Sequence, residues 1–216
     1  MVAIALSEPI VSALRVAGPA FFLGMQGSCI RTATQIVKEK SVGKLSPLPF
    51  VSLLTNCVIW TYYGALRSDF SILIPNAVGI FSGIGCATAF HKNTPSIPNN
   101  EYVVSATIIA ICSYLALKGN YQLLGSIGCG LAVFLMASPL ATIKTVLRDK
   151  TTAAMPFPIS FLGWLNAASW SAYGLLVAHD VMVYGPNLAG FVLASLQMMM
   201  FVIFGLPPRK QVKAMF

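Results

Sequence analysis

Acidic side chains are scarce in this chain: there are six Asp and Glu among 216 residues, and charged residues of both signs make up only 9 %. A soluble domain carries roughly 25 %. With 56 % hydrophobic residues and a mean hydropathy of +0.77, a fully water-exposed surface is excluded. The five cysteines, at 29, 57, 86, 112 and 129, lack any close Cys-x-x-Cys spacing, so neither a disulfide framework nor a metal site of that type is supported. They read as small buried hydrophobes. No Ser/His pair, paired Asp or His-rich cluster lies within an apolar run, which argues against an intramembrane enzyme and for no cofactor. The N-terminal "MVAIALSEPIVSALR" has no basic n-region and no clear small-residue cleavage site, so the first apolar segment is expected to be retained.

What is present is apolar sequence of bilayer-spanning length, again and again. Runs bounded by charge or turn residues predict seven helices, at about 10–36, 47–66, 71–91, 102–118, 121–147, 157–177 and 181–206. The net charge of +8 does not point to nucleic acid, because the basic residues sit at the ends of the runs and not in one patch. Arg31, Lys38, Lys40, Lys44, Lys92, Lys144, Arg148, Lys150, Arg209, Lys210 and Lys213 fall on one side, and Arg15, Arg67 and Lys118 on the other. The excess of Lys and Arg marks the cytoplasmic side, so the N-terminus is expected outside or in a lumen and the tail in the cytosol.

The chain also repeats itself. A displacement of 110 residues pairs Gly18 with Gly128, Ser28 with Ser138, Lys40 with Lys150, Asn56 with Asn166, Trp60 with Trp170, Tyr63 with Tyr173 and Gly64 with Gly174. One further residue of slip pairs Asp69 with Asp180, Pro75 with Pro186, Asn76 with Asn187 and Gly79 with Gly190. Each copy holds three helices, and one extra helix separates them, so both copies enter the membrane in the same direction. The expected fold is therefore all-α and integral to the membrane: seven transmembrane helices as two parallel three-helix bundles joined by a linker helix. The first repeat would span 10–92, the linker helix 101–119, the second repeat 121–206, and a short cytosolic tail 207–216.

Asn-x-x-x-Trp occurs at 56–60 and 166–170, and four-residue spacing puts amide and indole on one helix face a turn apart. Asn76 and Asn187 add a second carboxamide per repeat, each with two donors and one acceptor oxygen. An unpaired amide in hydrocarbon costs on the order of 2–7 kcal/mol, so these groups should face protein or a watered cavity. Four amides and two indoles suit a ligand with many hydroxyls and an apolar C–H face, which describes a sugar. A membrane-helix Asn can also simply bond a neighbouring helix, and Trp can pack or anchor at the interface. Trp164, without a repeat partner, reads as core or belt. The six acids, Glu8, Glu39, Asp69, Glu101, Asp149 and Asp180, map to helix ends or loops, leaving no proton relay at membrane depth and favouring uncoupled diffusion. Pro75 and Pro186 are expected near helix starts, where proline removes no needed hydrogen bond. Gly79 and Gly190 would allow close helix approach.

Taken together, "IVKEKSVGKLSPLPF", "NCVIWTYYG" and "PNAVG" in the first half, with "ASPLATIKTVLRDKTTAAMPF", "SWSAYG" and "PNLAG" in the second, resemble the SWEET family of sugar facilitators over about residues 15–205. The resemblance implies that Asn76 and Asn187 are central sugar ligands, that Trp60 and Trp170 flank the sugar ring, and that Asn56, Asn166, Met25 and Leu135 shape the pocket. Asn at both 56 and 166 suggests a monosaccharide such as glucose. It further implies hinge prolines at Pro49, Pro139 and Pro156. At the fourth hinge position this chain has Cys29, which keeps its N–H and should leave its helix straighter than the repeat partner around Pro139. Tyr63 and Asp180 match an external gate, against the plainer reading of Asp180 as a solvated helix end. The implied partners are a small-molecule sugar and the lipid bilayer, with no nucleic acid; a homo-oligomer is open, and so is the choice between plasma and internal membrane. Two rivals are a seven-helix receptor and a proton-coupled amino-acid exporter of the Pro-Gln-loop type. Against the first stand the repeat and the lack of a last-helix Lys for retinal; against the second, the absence of Pro-Gln.

Overall fold

A computed structural model describes residues 6–43, 45–95 and 99–207, so the tail after 207, with Arg209, Lys210 and Lys213, and Lys44 lie outside the described residues. Eight helices follow in order: α1 Glu8–Glu39, α2 Leu48–Leu66, α3 Phe70–Asn93, α4 Asn99–Leu117, α5 Tyr121–Leu135, α6 Ala137–Asp149, α7 Phe157–Leu176 and α8 Val181–Phe204. Among the described residues there is no strand. The protein is all-α and integral to the membrane; α1, α3, α4, the combined α5–α6 stretch and α8 are each long and apolar enough to cross a bilayer. The helices α2 and α7 fall short of that measure because they carry the Asn, Trp and Tyr residues singled out above.

The predicted fifth helix differs. It is two helices, α5 and α6, interrupted at Met136. The physical cause sits three residues on: Pro139 has no N–H for the carbonyl of Leu135, and its ring crowds that carbonyl. In contrast α1 runs unbroken through Cys29.

The repeat is built into the backbone. The non-glycine residues with positive φ are Lys40 (51°), Ser68 (52°), Lys150 (54°) and His179 (50°), two repeat-related pairs. Lys40 and Lys150 lie just past the ends of α1 and α6, and Ser68 and His179 shape the turns into α3 and α8. Such a conformation costs an L-residue about 1–2 kcal/mol, so its recurrence at Ser68 and His179, each followed by an Asp amide that donates to a glycine carbonyl (Gly64, Gly174), marks two turns of one design. In both, a glycine lets the next helix approach: a Cβ at Gly64 would lie 2.7 Å from the Leu73 nitrogen, and one at Gly174 2.7 Å from the Tyr184 nitrogen. Asp69 then caps α3 by accepting from the Ser71 and Ile72 amides (3.0 and 3.2 Å), and Asp180 caps α8 by accepting from the Met182 amide (3.0 Å).

Among the described residues the chain divides into two compact units: those within 23–132, and residues 6–22 with 133–207. The dividing line passes through α1 between Phe22 and Leu23 and between α5 residues Ala132 and Val133. Within the first of these, α2 packs on α3 and α4. A buried Thr55–Ser105 hydroxyl pair at 2.6 Å and a Tyr62–Ser113 pair at 3.1 Å zip α4 onto α2. One end of this unit is sealed by Ala33, Ile36, Val42, Phe50, Cys86 and Phe90. In the second unit α7 and α6 pack on α8, and Val146, Met155, Met200 and Phe201 form the corresponding seal. None of the five cysteines is in a disulfide; Cys57, Cys86 and Cys112 are buried, while Cys29 and Cys129 are half-buried.

Candidate functional site

In the unit of residues 23–132, Trp60 lies on α2, buried, with its Nε1 donating to Asn56 Oδ1 one turn back at 3.2 Å. The four-residue spacing read from the sequence thus becomes a direct bond. Tyr63 meets the indole edge-on at 5.4 Å. From α5, Gly128 comes so near that a Cβ there would lie 3.2 Å from Trp60 Cζ2.

The unit of residues 6–22 and 133–207 builds the same cluster from the other repeat. Trp170 on α7 is buried and meets Tyr173 edge-on at 5.7 Å. Here the close helix is α1: a Cβ on Gly18 would lie 2.9 Å from Trp170 Cδ2 and Cε2. Each indole is therefore covered by the first helix of the opposite repeat. The sequence reading paired Gly18 with Gly128 but did not see this role, because spacing reveals a helix face and not its partner. The amide differs too: Asn166 Oδ1 is buried with no hydrogen-bond partner among the described residues, where Asn56 Oδ1 accepts from its indole.

On the third helix of each repeat, Asn76 and Asn187 adopt one local geometry. Nδ2 of Asn76 donates to the Ile72 carbonyl and Nδ2 of Asn187 to the Val183 carbonyl, both at 2.8 Å. Each amide keeps one N–H and its carbonyl oxygen for another partner. Asn76 is buried and Asn187 half-buried. Pro75 and Pro186 precede them inside the helices, not near the helix starts as the sequence suggested. Because α3 begins at Phe70, Pro75 deprives the Ser71 carbonyl of its usual N–H, and Pro186 does so for Met182.

The remaining residues of interest fall as follows. Met25 and Leu135 are half-buried, the latter closing α5 just before the break. Next to Met25, Gln26 is buried, accepts from Ser82 Oγ at 3.3 Å, and has an Nε2 without a partner among the described residues. The sequence reading passed over it; its signal was a long polar side chain inside an apolar run. Pro49 occupies the first turn of α2, Pro139 the first turn of α6, and Pro156 is the N-cap of α7. A further proline, Pro19, lies inside α1 beside Gly18. Asp180 is a buried N-cap and not a solvated end. Trp164 is half-buried: its Nε1 donates to Ser195 Oγ at 2.9 Å and its ring meets those of Phe161 and Phe191. All six acids sit at helix ends: Glu8 opens α1, Glu39 closes it, Asp69 and Asp180 are caps, Glu101 is in the first turn of α4, and Asp149 closes α6.

Known proteins match this chain along most of its length. A family model described as "Sugar efflux transporter for intercellular exchange" matches residues 12–95 and again 122–210. The bidirectional sugar transporter SWEET17 of Arabidopsis thaliana is 28 % identical over 205 residues, covering 85 % of this chain and 85 % of that protein. The bidirectional sugar transporter N3 of Medicago truncatula is 32 % identical over 205 residues, covering 86 % and 76 %. The solved structure of a eukaryotic SWEET transporter matches with a TM-score of 0.81 at 26 % identity, over 90 % of this chain and 96 % of that one. With the family model met once in each repeat and the fold shared along nearly the whole length, the chain belongs to the SWEET family.

Proposed function

We propose that this protein is an uncoupled, bidirectional sugar facilitator that carries a glucose-like monosaccharide by alternating access. The observation that carries this reading is the doubled set of Asn and Trp: Asn56, Trp60 and Asn76 in one repeat, Asn166, Trp170 and Asn187 in the other; Met25 and Leu135, half-buried, are assigned to the same pocket. A sugar offers hydroxyls to the spare amide groups and an apolar face to an indole. Among the buried side-chain polar atoms without a partner in the described residues, Asn166 Oδ1 is an acceptor that a sugar hydroxyl can satisfy. The placement of every carboxylate at a helix end supports transport without proton coupling. In the mechanism, the 3+1+3 repeats at 10–92 and 121–206, with 101–119 as linker, rock about the sugar, and Pro49, Pro139 and Pro156 take up the bending while Cys29 leaves its helix stiffer. Tyr63 and Asp180 form the outer gate. The charge bias supports an outward or lumenal N-terminus and a cytosolic tail, with the plasma membrane as the proposed location.

The test is counterflow of labelled glucose, fructose, galactose and sucrose into liposomes containing the purified protein, wild type and Asn76→Ala. Glucose exchange above sucrose exchange, lost in the variant, is the expected outcome. Preference for sucrose would overturn the monosaccharide assignment, and undiminished flux in Asn76→Ala would overturn the site.

A further inference from the structure

The lysine-rich ends of the two repeats are not built alike. Lys150 stands past the end of α6, and its ammonium lies 5.7 Å over the ring of Phe204 in the last turn of α8. The repeat register pairs Lys150 with Lys40 and Phe204 with Asn93. Lys40 has the same left-handed backbone past the end of α1, but it borders an open cavity of about 990 Å³ between the ends of α1 and α3. Val37, Lys40 and Ser41 line one wall, and Thr88, Lys92 and Asn93 the other. Asn93 is turned to its own helix, its Nδ2 donating to the Ala89 carbonyl at 2.7 Å. In the second repeat the register puts Met199 for Thr88 and Ile203 for Lys92. Where one repeat sets an aromatic ring under its lysine, with Met199 and Ile203 51 and 60 % exposed beside it, the other is hollow, hydroxylated and doubly basic.

The position of this hollow on α3 says what it faces. At about 100° per residue, Gly85, Thr88 and Lys92 lie on the side of the helix roughly opposite Asn76. The same stripe continues through Phe81, Val78 and Ile74, which are 76, 48 and 57 % exposed. In a membrane protein an exposed stripe of large apolar residues is wetted by hydrocarbon. The hollow therefore opens at the polar end of a lipid-facing track.

We propose that this notch is a binding site for an anionic phospholipid. The headgroup phosphate sits between Lys40 and Lys92, with the Ser41 and Thr88 hydroxyls as further donors, and an acyl chain runs along Phe81, Val78 and Ile74. Lysines at helix C-termini also offset the helix dipole. That role serves Lys150 equally and does not account for a hollow in one repeat where the other has Phe204. The notch itself is independent of the sugar assignment. Only the leaflet rests on the proposed orientation, which puts these helix ends in the cytoplasm, where anionic lipids collect.

The test reads retained lipid by native mass spectrometry after reconstitution in nanodiscs of phosphatidylcholine alone or with phosphatidylserine. The variants are Lys92→Gln, Lys40→Asn (Asn tolerates the left-handed backbone), and the combined Lys92→Ile and Asn93→Phe, with Lys150→Asn as the repeat-related control. Retention of phosphatidylserine should fall about fivefold for each lysine lost, vanish when the hollow is filled, and persist in Lys150→Asn. Equal retention in Lys92→Gln and wild type would overturn the site, as would an equal fall in Lys150→Asn, which would mean diffuse attraction to the surface. Inorganic phosphate that displaces the lipid at millimolar concentration would overturn the acyl-chain track and leave an anion site. Lys92→Gln alone decides the matter if the filled variant does not fold.

Discussion

At the scale of the residue, the amide pair and the aspartate pair separate stability from function. Asn76 returns one N–H to its own helix at Ile72, a carbonyl that is also within reach of the backbone N–H of residue 76. Removing the side chain should then cost only about 1 kcal/mol, while flux falls at least about tenfold if its remaining donor and acceptor hold sugar. A melting curve beside a counterflow assay measures both, and a large loss of stability with proportionate loss of flux would make Asn76 structural. Asp180 carries two candidate roles, as cap and as gate. Asp180→Asn should keep the bond to the Met182 amide and the melting temperature but lower flux; Asp180→Ala should also cost about 1 kcal/mol. Asp69→Ala removes the matching cap of α3, so it should likewise lower the melting temperature by the equivalent of about 1 kcal/mol. These roles were half legible in the sequence. The Asn-x-x-x-Trp spacing put Asn56 and Trp60 on one helix face, but nothing in it foretold that they bond while Asn166, the repeat partner, keeps an unpaired oxygen.

Element by element, the reading from sequence succeeds where a helix is long, apolar and ended by charge, and fails where one side chain acts at a distance along the chain. The ends of α1, α3, α7 and α8 lie within a few residues of expectation. The break at Met136 was hidden because "VFLMAS" is all helix-compatible; the fault arises at Pro139 and is expressed upstream, at the carbonyl it cannot serve. Cys29→Pro would impose the same fault on α1. It should shift sugar flux and loosen the packing of Cys29 against the Ala33–Phe90 cluster, visible as a lower melting temperature; unchanged flux would remove Cys29 from any account of unequal hinges. Glycine gives a second test. Gly18→Ala drives a methyl to 2.9 Å from a buried indole, and Gly128→Ala to 3.1 Å from Ile59 Cγ2 and 3.2 Å from Trp60 Cζ2. Overpacking of this kind costs about 1–3 kcal/mol, and Gly18→Ala should be the worse of the two in a thermal melt.

For the whole molecule, the distribution of charge makes the sharpest statement. With six carboxylates all at helix ends, no acid is placed to trade a proton against a sugar at membrane depth. Glucose counterflow should therefore be the same with an inside-acid, inside-alkaline or absent pH gradient. Uptake driven above equilibrium by the gradient would refute uncoupled transport. The repeat that organises the molecule was legible because Trp, Asn, Pro and Gly recur in register. The way the copies share their first helices was not, since no local pattern records which distant helix a glycine will meet. That sharing bears on how the chain is made. If the polypeptide were cut at residues 118–120, one fragment would hold Gly18 and Trp60, and the other Gly128 and Trp170. Neither fragment would own the glycine that shelters its own indole. During synthesis, then, Trp60 waits for α5 to emerge and Gly18 waits longer, for Trp170, so the earliest helix to enter the membrane is among the last to be finished.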